Sequence, residues 1–233
     1  TEGTVHQKTL PLVESDWQIS VAQWALSLSY DQQVAWHIAS VHPQAAQQLM
    51  DHLGTNFPAA KVKLLAWCDV PMEANVDEPD RLGIDRLISA YAATLQSEPP
   101  LVVVDAGSAI TVDMVTKDGK FQGGAILPGL GMQFASLAEG TASLPLLAGT
   151  SKKPHYPAKN TEDAIFSGVV TAAIAAIDLL IAKYCNYADI NNEDVPVVLT
   201  GGDAPFLSPH LQHNHERIEN LVCRGILGLQ SSN

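Results

Sequence analysis

Cysteine is scarce in this chain: three residues in 233, Cys68, Cys185 and Cys223, widely spaced and with no Cys-x-x-Cys. That excludes a disulfide framework and a zinc knuckle. It points to a reducing, cytoplasmic setting in which the three act as small buried or half-buried apolar side chains. Basic residues are also few, 13 Lys and Arg against 25 Asp and Glu, for a net charge of −12. Such a chain suits neither nucleic acid nor an anionic membrane. A phosphate ligand is still allowed, because backbone amides and a few cations can hold one. No segment reads as a signal peptide or a membrane span. The longest apolar stretch, around Gly168 to Ala182, is Ala-rich and interrupted by Thr171 and Asp178, so it reads as a buried helix. The start, Thr1-Glu2-Gly3-Thr4, carries no initiator Met.

The chain has 46% hydrophobic residues, enough for a sizeable core in one large domain or two small ones. The run to Leu12 is a short strand pattern at best. Trp17 to Val21 reads as a second short strand, Ala22 to Ser29 as helical, and Val34 to Ser40 as a buried strand. His42-Pro43 opens a helix through Leu53, with Pro suited to the first turn. Lys61 to Trp67 is another strand, and a polar loop runs from Pro71 to Asp80. Arg81 to Leu95 is an amphipathic helix with Leu82, Ile88, Tyr91, Ala92 and Leu95 on its buried side. Three strands follow around Asp105 and Asp113. Gly129 to Ala138 is a short helix, Leu144 to Pro157 a loop, and Thr161 to Tyr184 a long helix. Val195 to Leu199 is a strand, and Ile218 to Leu229 a closing helix. Strands and helices alternate twice around a central hairpin, which predicts an α/β chain of two similar halves. Ser97-Glu98-Pro99-Pro100 reads as the linker, dividing residues 1–96 from 97–233.

The most informative stretch is LVVVDAGSAITVDMVTKDGKFQGGAILPG, from Leu101 to Gly129. An apolar strand ends in Asp105, and Ala106, Gly107 and Ser108 follow at once. Small residues there let backbone N–H groups approach an anion closely. The adjacent carboxylate can hold a cation or a metal-bound water. A polar turn closed by an Asx hydrogen bond is the plainer alternative. Lys117-Asp118-Gly119-Lys120 is a hairpin turn, since Asp-Gly supplies the positive φ that the turn needs. Gly83-Ile84-Asp85-Arg86 opens a helix, where Asp85 could accept a proton from a hydroxyl and Arg86 could clamp a carboxylate. A dipole-favoured first-turn Asp beside a solvated Arg explains the same residues. In Thr200-Gly201-Gly202-Asp203 the glycines let a flat base or ribose lie against the backbone, or Asp203 simply caps a helix. Thr161 caps the long helix or reaches a ligand. His210, His213 and His215 lie in a polar loop between helices, and a metal site there is disfavoured.

In order, GIDR at Gly83, DAGSAITVD at Asp105, GGAILPG at Gly123, TASLP at Thr141, NTEDAIFSG at Asn160 and TGGDA at Thr200 closely resemble the type III pantothenate kinases. Those enzymes belong to the acetate-kinase/sugar-kinase/Hsp70/actin superfamily. IASVHP at Ile38 and LVCRGI at Leu221 extend the likeness. The resemblance implies two ribonuclease-H-like, actin-like halves, each a mixed sheet flanked by helices. It implies transfer of the γ-phosphoryl of ATP, with Mg2+, to the 4′-hydroxyl of pantothenate, the first step of coenzyme A synthesis. By the same resemblance Asp85 matches the general base, and Gly83, Ile84 and Arg86 match the pantothenate-binding segment, with Thr161 a further substrate contact. Asp105 matches the ligand of a monovalent cation, potassium or ammonium. Ser108 stands where the family has a phosphate-contacting Thr, so that Gly107, Ser108, Gly201 and Gly202 form the ATP-binding set. A homodimer, free of nucleic acid and membrane, is implied.

Two departures stand out. The family opens with a strand into Asp-x-Gly-Asn-Thr, a first phosphate loop that this sequence does not contain, so the chain assayed alone is expected to be weak or inactive as a kinase. The family also carries Tyr three residues before the Pro ahead of GxDR, where this chain has Val76 before Pro79. Valine neither donates a hydrogen bond nor stacks, which would weaken substrate affinity. A non-catalytic ligand-binding or accessory relative of the same fold is therefore the alternative reading.

Overall fold

The computed structural model describes residues 6, 8, 10, 16–28, 35–147, 149 and 153–231. The strand expected before Leu12 lies almost wholly outside them. By its contacts the chain divides into two units, Thr1–Ala66 and Trp67–Asn233.

The first unit is built on a strand–helix–strand crossover. Strand β1 (Ala35–Ile38) pairs in parallel with β2 (Lys61–Leu64), with Ala35 opposite Lys61. Helix α2 (Pro43–Asn56) connects them. As expected, Pro43 sits in its first turn, and His42 caps it by accepting the Ala45 N–H at 3.2 Å. Helix α1 (Trp17–Leu28) precedes β1 and corrects one expectation, because Trp17 to Val21 is helix and not strand. Trp17 and Val21 fall four residues apart on one helical face, and both pack into the cluster of Ile38, Ala45, Leu49 and Leu53. That shared burial outweighs the β-preference of the local residues. The strand expected over Lys61 to Trp67 ends at Leu64, and Trp67–Asp69 is a 3-10 turn.

The second unit carries a five-stranded mixed sheet in the order β5-β4-β3-β6-β7. Its strands are β3 (Leu101–Ala106), β4 (Ala109–Val115), β5 (Phe121–Pro128), β6 (Val197–Thr200) and β7 (Glu216–Arg217). β4 runs antiparallel to both β3 and β5, while β3, β6 and β7 are parallel. The β4–β5 hairpin turns at Gly119, with φ of 77°. Alternation along β3 sends Val102, Val104 and Ala106 into a core shared with α4 (Leu130–Gly140) and α5 (Thr161–Ala188). Val103 and Asp105 point to the opposite face. This is a mixed sheet flanked by helices, as the resemblance implies.

On that opposite face lies α3 (Ile84–Thr94), covered in turn by α7 (Leu221–Ser231). Every residue from Leu87 to Ala93 is buried, which explains the run of small residues Ser89, Ala90, Ala92 and Ala93. Gly225 of α7 stands so close to α3 that a Cβ there would lie 2.5 Å from Ile88 Cγ2 and 2.7 Å from its carbonyl oxygen. Leu95 departs from its expected place: it follows the helix end and is 52% exposed. Ile218 likewise precedes α7, not within it.

Helix α5 is long and apolar enough to cross a membrane by length and composition. Nine of its residues, from Ile165 to Cys185, are buried, and most of them lie in the core cluster beside the sheet, as a core helix requires. Cys185 is buried as expected, whereas Cys68 and Cys223 are exposed. Cys68 falls in the 3-10 turn and Cys223 on the outer side of α7, so neither has a core to enter.

Candidate functional site

Three chain reversals meet at the ends of β3 and β6. After Ala106 the backbone turns through Gly107 and Ser108, closed by the Gly107 N–H donating to the Ala109 carbonyl at 3.1 Å. The Gly129 N–H, at the start of α4, donates to the Ser108 carbonyl at 3.1 Å. The Asp203 N–H, after β6, donates to the Ala106 carbonyl at 2.8 Å. Gly201 makes this last approach possible. Its φ is 99°, and a Cβ there would fall 2.4 Å from the Ala106 backbone.

These turns border an open cleft of about 540 Å³, lined among others by Gly107, Ser108, Gly131, Met132, Gly202 and Asp203. Helix α4 begins at this wall, and its N-cap residue, Gly129, has no side chain to cap the first turn. Its N-terminal N–H groups are thus available to an anion. A run of small residues, a hydroxyl and a helix start on one wall is chemistry suited to phosphate. Asp203 is the acidic exception, and burial pushes its carboxyl above the ordinary range.

Beside the cleft is a cluster of charge. The register sets Asp105 opposite Thr111 and Asp113 opposite Val103, so both carboxylates project toward the first turn of α3. Asp85 and Arg86 stand in that turn. Asp85 Oδ1 accepts the Arg86 N–H at 2.9 Å. Arg86 turns its side chain onto Asp113: Nε donates to Oδ1 and Oδ2 at 3.1 and 3.2 Å, and Nη2 donates to Oδ1. The guanidinium also lies 5.6 Å from the centre of the Phe121 ring. Burial first, then the charges of Asp85 and Asp113, push the Asp105 carboxyl up to about 6. Burial raises the Asp113 carboxyl too, against the opposing pull of Arg86.

The structure therefore brings together Gly83, Ile84, Asp85, Arg86 and Asp105, and sets Gly107, Ser108 and Gly202 along the adjacent cleft. Ile84 is buried. Gly201 underlies the cleft wall. Thr161 is exposed at the start of α5, whose first turn is capped by Asn160, and it does not line the cleft. Val76 packs toward Gly123, with Cγ1 3.6 Å from where a Cβ would stand. The histidines have local roles. His213 meets Asp178 at 3.1 Å and His215 meets the Ser208 hydroxyl at 2.7 Å, while His210 lies edge-on to Phe206.

Sequence reading missed Asp113 and the start of α4 as parts of the site. For Asp113 a signal existed, because a carboxylate inside an apolar strand must find a partner. For α4 the signal was the Pro128-Gly129 pair that opens the helix without a polar cap.

Residues 4–183 match the family model described as Type III pantothenate kinase. A protein of that description from Rhodopirellula baltica is 39% identical over 210 residues, covering 87% of this chain and 73% of the relative. Another from Sulfurihydrogenibium is 29% identical over 96% of the chain and 86% of the relative. The match to one from Laribacter hongkongensis, 41% identical, spans 65% of this chain and 61% of that protein. Among solved structures, one described as a Baf family transcriptional activator from Campylobacter jejuni superposes with a TM-score of 0.58. It is 24% identical and covers 91% of this chain and 88% of its own, a likeness of fold.

Proposed function

The chain belongs to the type III pantothenate kinase family, and from that premise we propose that it transfers the γ-phosphoryl of ATP to the 4′-hydroxyl of pantothenate. The observation that carries the proposal is the meeting of Asp85 and Arg86, from α3, with Asp105 on β3, beside a cleft walled by Gly107, Ser108 and Gly202.

In this reading Asp85 is the general base. Its hydrogen bond from the Arg86 N–H holds one carboxylate oxygen and leaves the other to take the hydroxyl proton. Gly83, Ile84 and Arg86 form the pantothenate segment, with Arg86 directed at the substrate carboxylate and Thr161 a further contact. Gly107, Ser108, Gly201 and Gly202 serve ATP, the small residues letting the phosphates approach the backbone. Phosphoryl transfer depends chiefly on alignment and charge stabilisation, and the first-turn N–H groups of α4 are the proposed donors to the phosphates.

Asp105 is the proposed ligand of a potassium or ammonium ion. The donor chemistry fits. Asp105 is a half-buried carboxylate repelled by Asp85 and Asp113, and the nearby Arg86 is already paired. A bound cation would supply the missing positive charge. Among the described residues no three His, Cys, Asp or Glu side chains converge on a metal site. Mg2+ is accordingly assigned to the phosphates it would arrive with. A cytoplasmic homodimer completes the proposal.

The test is ADP release by the full-length protein with pantothenate, Mg-ATP and potassium. Pantothenate-dependent turnover is expected, and Asp85→Asn is expected to lower kcat by about 10²- to 10⁴-fold, as loss of a general base does. Turnover at the parental rate in a folded Asp85→Asn protein rules out Asp85 as the base.

A further inference from the structure

We propose that Asp113 is a positioning residue for substrate recognition: it orients the Arg86 guanidinium so that the guanidinium's other edge meets the carboxylate of the substrate. This rests on the pantothenate kinase reading and adds to it a residue that does not itself touch the substrate.

The geometry is specific. Arg86 uses Nε and one N–H of Nη2 on Asp113. A guanidinium has five N–H groups in a fixed planar fork, so two engaged leave three, on Nη1 and the outer side of Nη2. Among the described residues no hydrogen-bond partner meets Nη1. The side chain is 15% exposed, against 2% for that of Asp113. One edge of the fork is therefore anchored in the sheet, and the N–H groups of Nη1 and the outer N–H of Nη2 are left for a ligand. A bidentate anchor fixes the plane as well as the position of the fork.

Two neighbours enforce the arrangement. The Phe121 ring, fully buried, backs the guanidinium at 5.6 Å. Gly124, opposite Asp113 on β5, leaves room for the carboxylate, because a Cβ there would lie 2.4 Å from Asp113 Oδ1 and 2.1 Å from the Val112 carbonyl oxygen. Strand, ring and glycine thus hold the carboxylate that holds the arginine. A free arginine on the first turn of a helix would have several rotamers to lose on binding. Here that cost falls at folding, and a single orientation is presented to the ligand.

The mechanism makes a prediction that a purely structural ion pair does not. Removing the charge of Asp113 should weaken recognition of the substrate's carboxylate and leave ATP recognition alone. The experiment compares the full-length protein with Asp113→Asn, which keeps the shape but loses one of the two anchoring acceptors. Substrates are pantothenate and its alcohol analogue, in which CH2OH replaces the carboxylate. The expected result is a rise of about 10- to 100-fold in KM for pantothenate, the loss of one charge-assisted contact. KM for ATP is expected within about twofold of the parent, and the preference for pantothenate over the alcohol should shrink by the same factor as the pantothenate KM rises. An unchanged preference in a folded variant overturns the proposal.

A second measurement needs no variant. The Arg86 Nε–H resonance of the unsubstituted protein should be sharp and slow to exchange with water, and an Nε–H that exchanges as fast as that of a solvent-exposed arginine also overturns the proposal. If the unsubstituted protein turns over no pantothenate, the kinase reading fails by itself. The Nε–H resonance then still decides whether Asp113 fixes Arg86.

Discussion

Asp105 is the residue whose chemistry depends most on its surroundings. An ordinary aspartate titrates near 3.8, and here burial and two neighbouring carboxylates raise the value to about 6. Because the folded value lies above the unfolded one, the ionised form is penalised in the folded state. The penalty is fully present above about pH 6 and relieved as pH falls toward 3.8, where the unfolded chain also takes up its proton. The proposed cation at Asp105 would compete with that proton. Potassium should therefore raise the melting temperature at about pH 8 and lose this effect as pH is lowered through about 6. Thermal melts with potassium against a bulky quaternary ammonium ion would measure it, and a potassium effect independent of pH would remove Asp105 as the ligand. The residues of this site were largely legible in the sequence, because Asp85, Arg86 and Asp105 stand in short motifs whose glycines betray close approach. Asp113 was not, because its partner Arg86 lies 27 residues away and only strand register brings the two together.

At the scale of elements, the packing of α3 decides where the site sits. This helix carries Asp85 and Arg86 at its first turn, and its far side is pressed against α7 through Gly225 and Gly228. A methyl group at Gly225 would meet the Ile88 carbonyl oxygen at 2.7 Å, and backbone cannot turn aside as a side chain can. Gly225→Ala should destabilise the fold by about 1–3 kcal/mol through overpacking, against a gain of roughly 1 kcal/mol from better helix propensity. The net loss is readable as a lower urea midpoint, and a raised midpoint would contradict the packing. At the other end of the unit, Asn160 caps α5 by accepting the Asp163 N–H at 2.8 Å. Asn160→Ala should cost about 1 kcal/mol and, because the proposed substrate contact Thr161 follows directly, should also raise KM for pantothenate; an unchanged KM in the folded variant counts against that contact. Element types were mostly readable from periodicity. The helix at Trp17–Leu28 was misread because its first five residues favour strand locally, and only burial of Trp17 and Val21 on one helical face shows the longer period.

At the scale of the molecule, charge and oligomeric state matter most. A net charge of −12 makes the chain repel polyanions, and the proposed ATP site must work against that field through local donors. That is consistent with a cleft bordered by glycine turns and the start of α4 rather than by a patch of lysines. The proposed homodimer predicts a sedimenting species of twice the chain mass at micromolar concentration. A monomer at every concentration would count against it.

Composition and local pattern by themselves determined much of this protein. They determined the α/β alternation, the hairpin at Gly119, the start of the helix at Pro43, and the ordered motifs that identify its family. All are properties of residues within a turn or two of one another. What only the tertiary structure decided is what distant segments do together. Examples are the contact boundary at Ala66 and Trp67, the exposure of Cys68, Cys223 and Leu95, and the raised Asp105 carboxyl. The pairing of Arg86 with Asp113 belongs with them. The physical reason is common: burial and Coulomb interaction depend on distance in space and not along the chain, and for Asp105, Arg86 and Asp113 that distance is set by strand register and by the packing of α3 on the sheet.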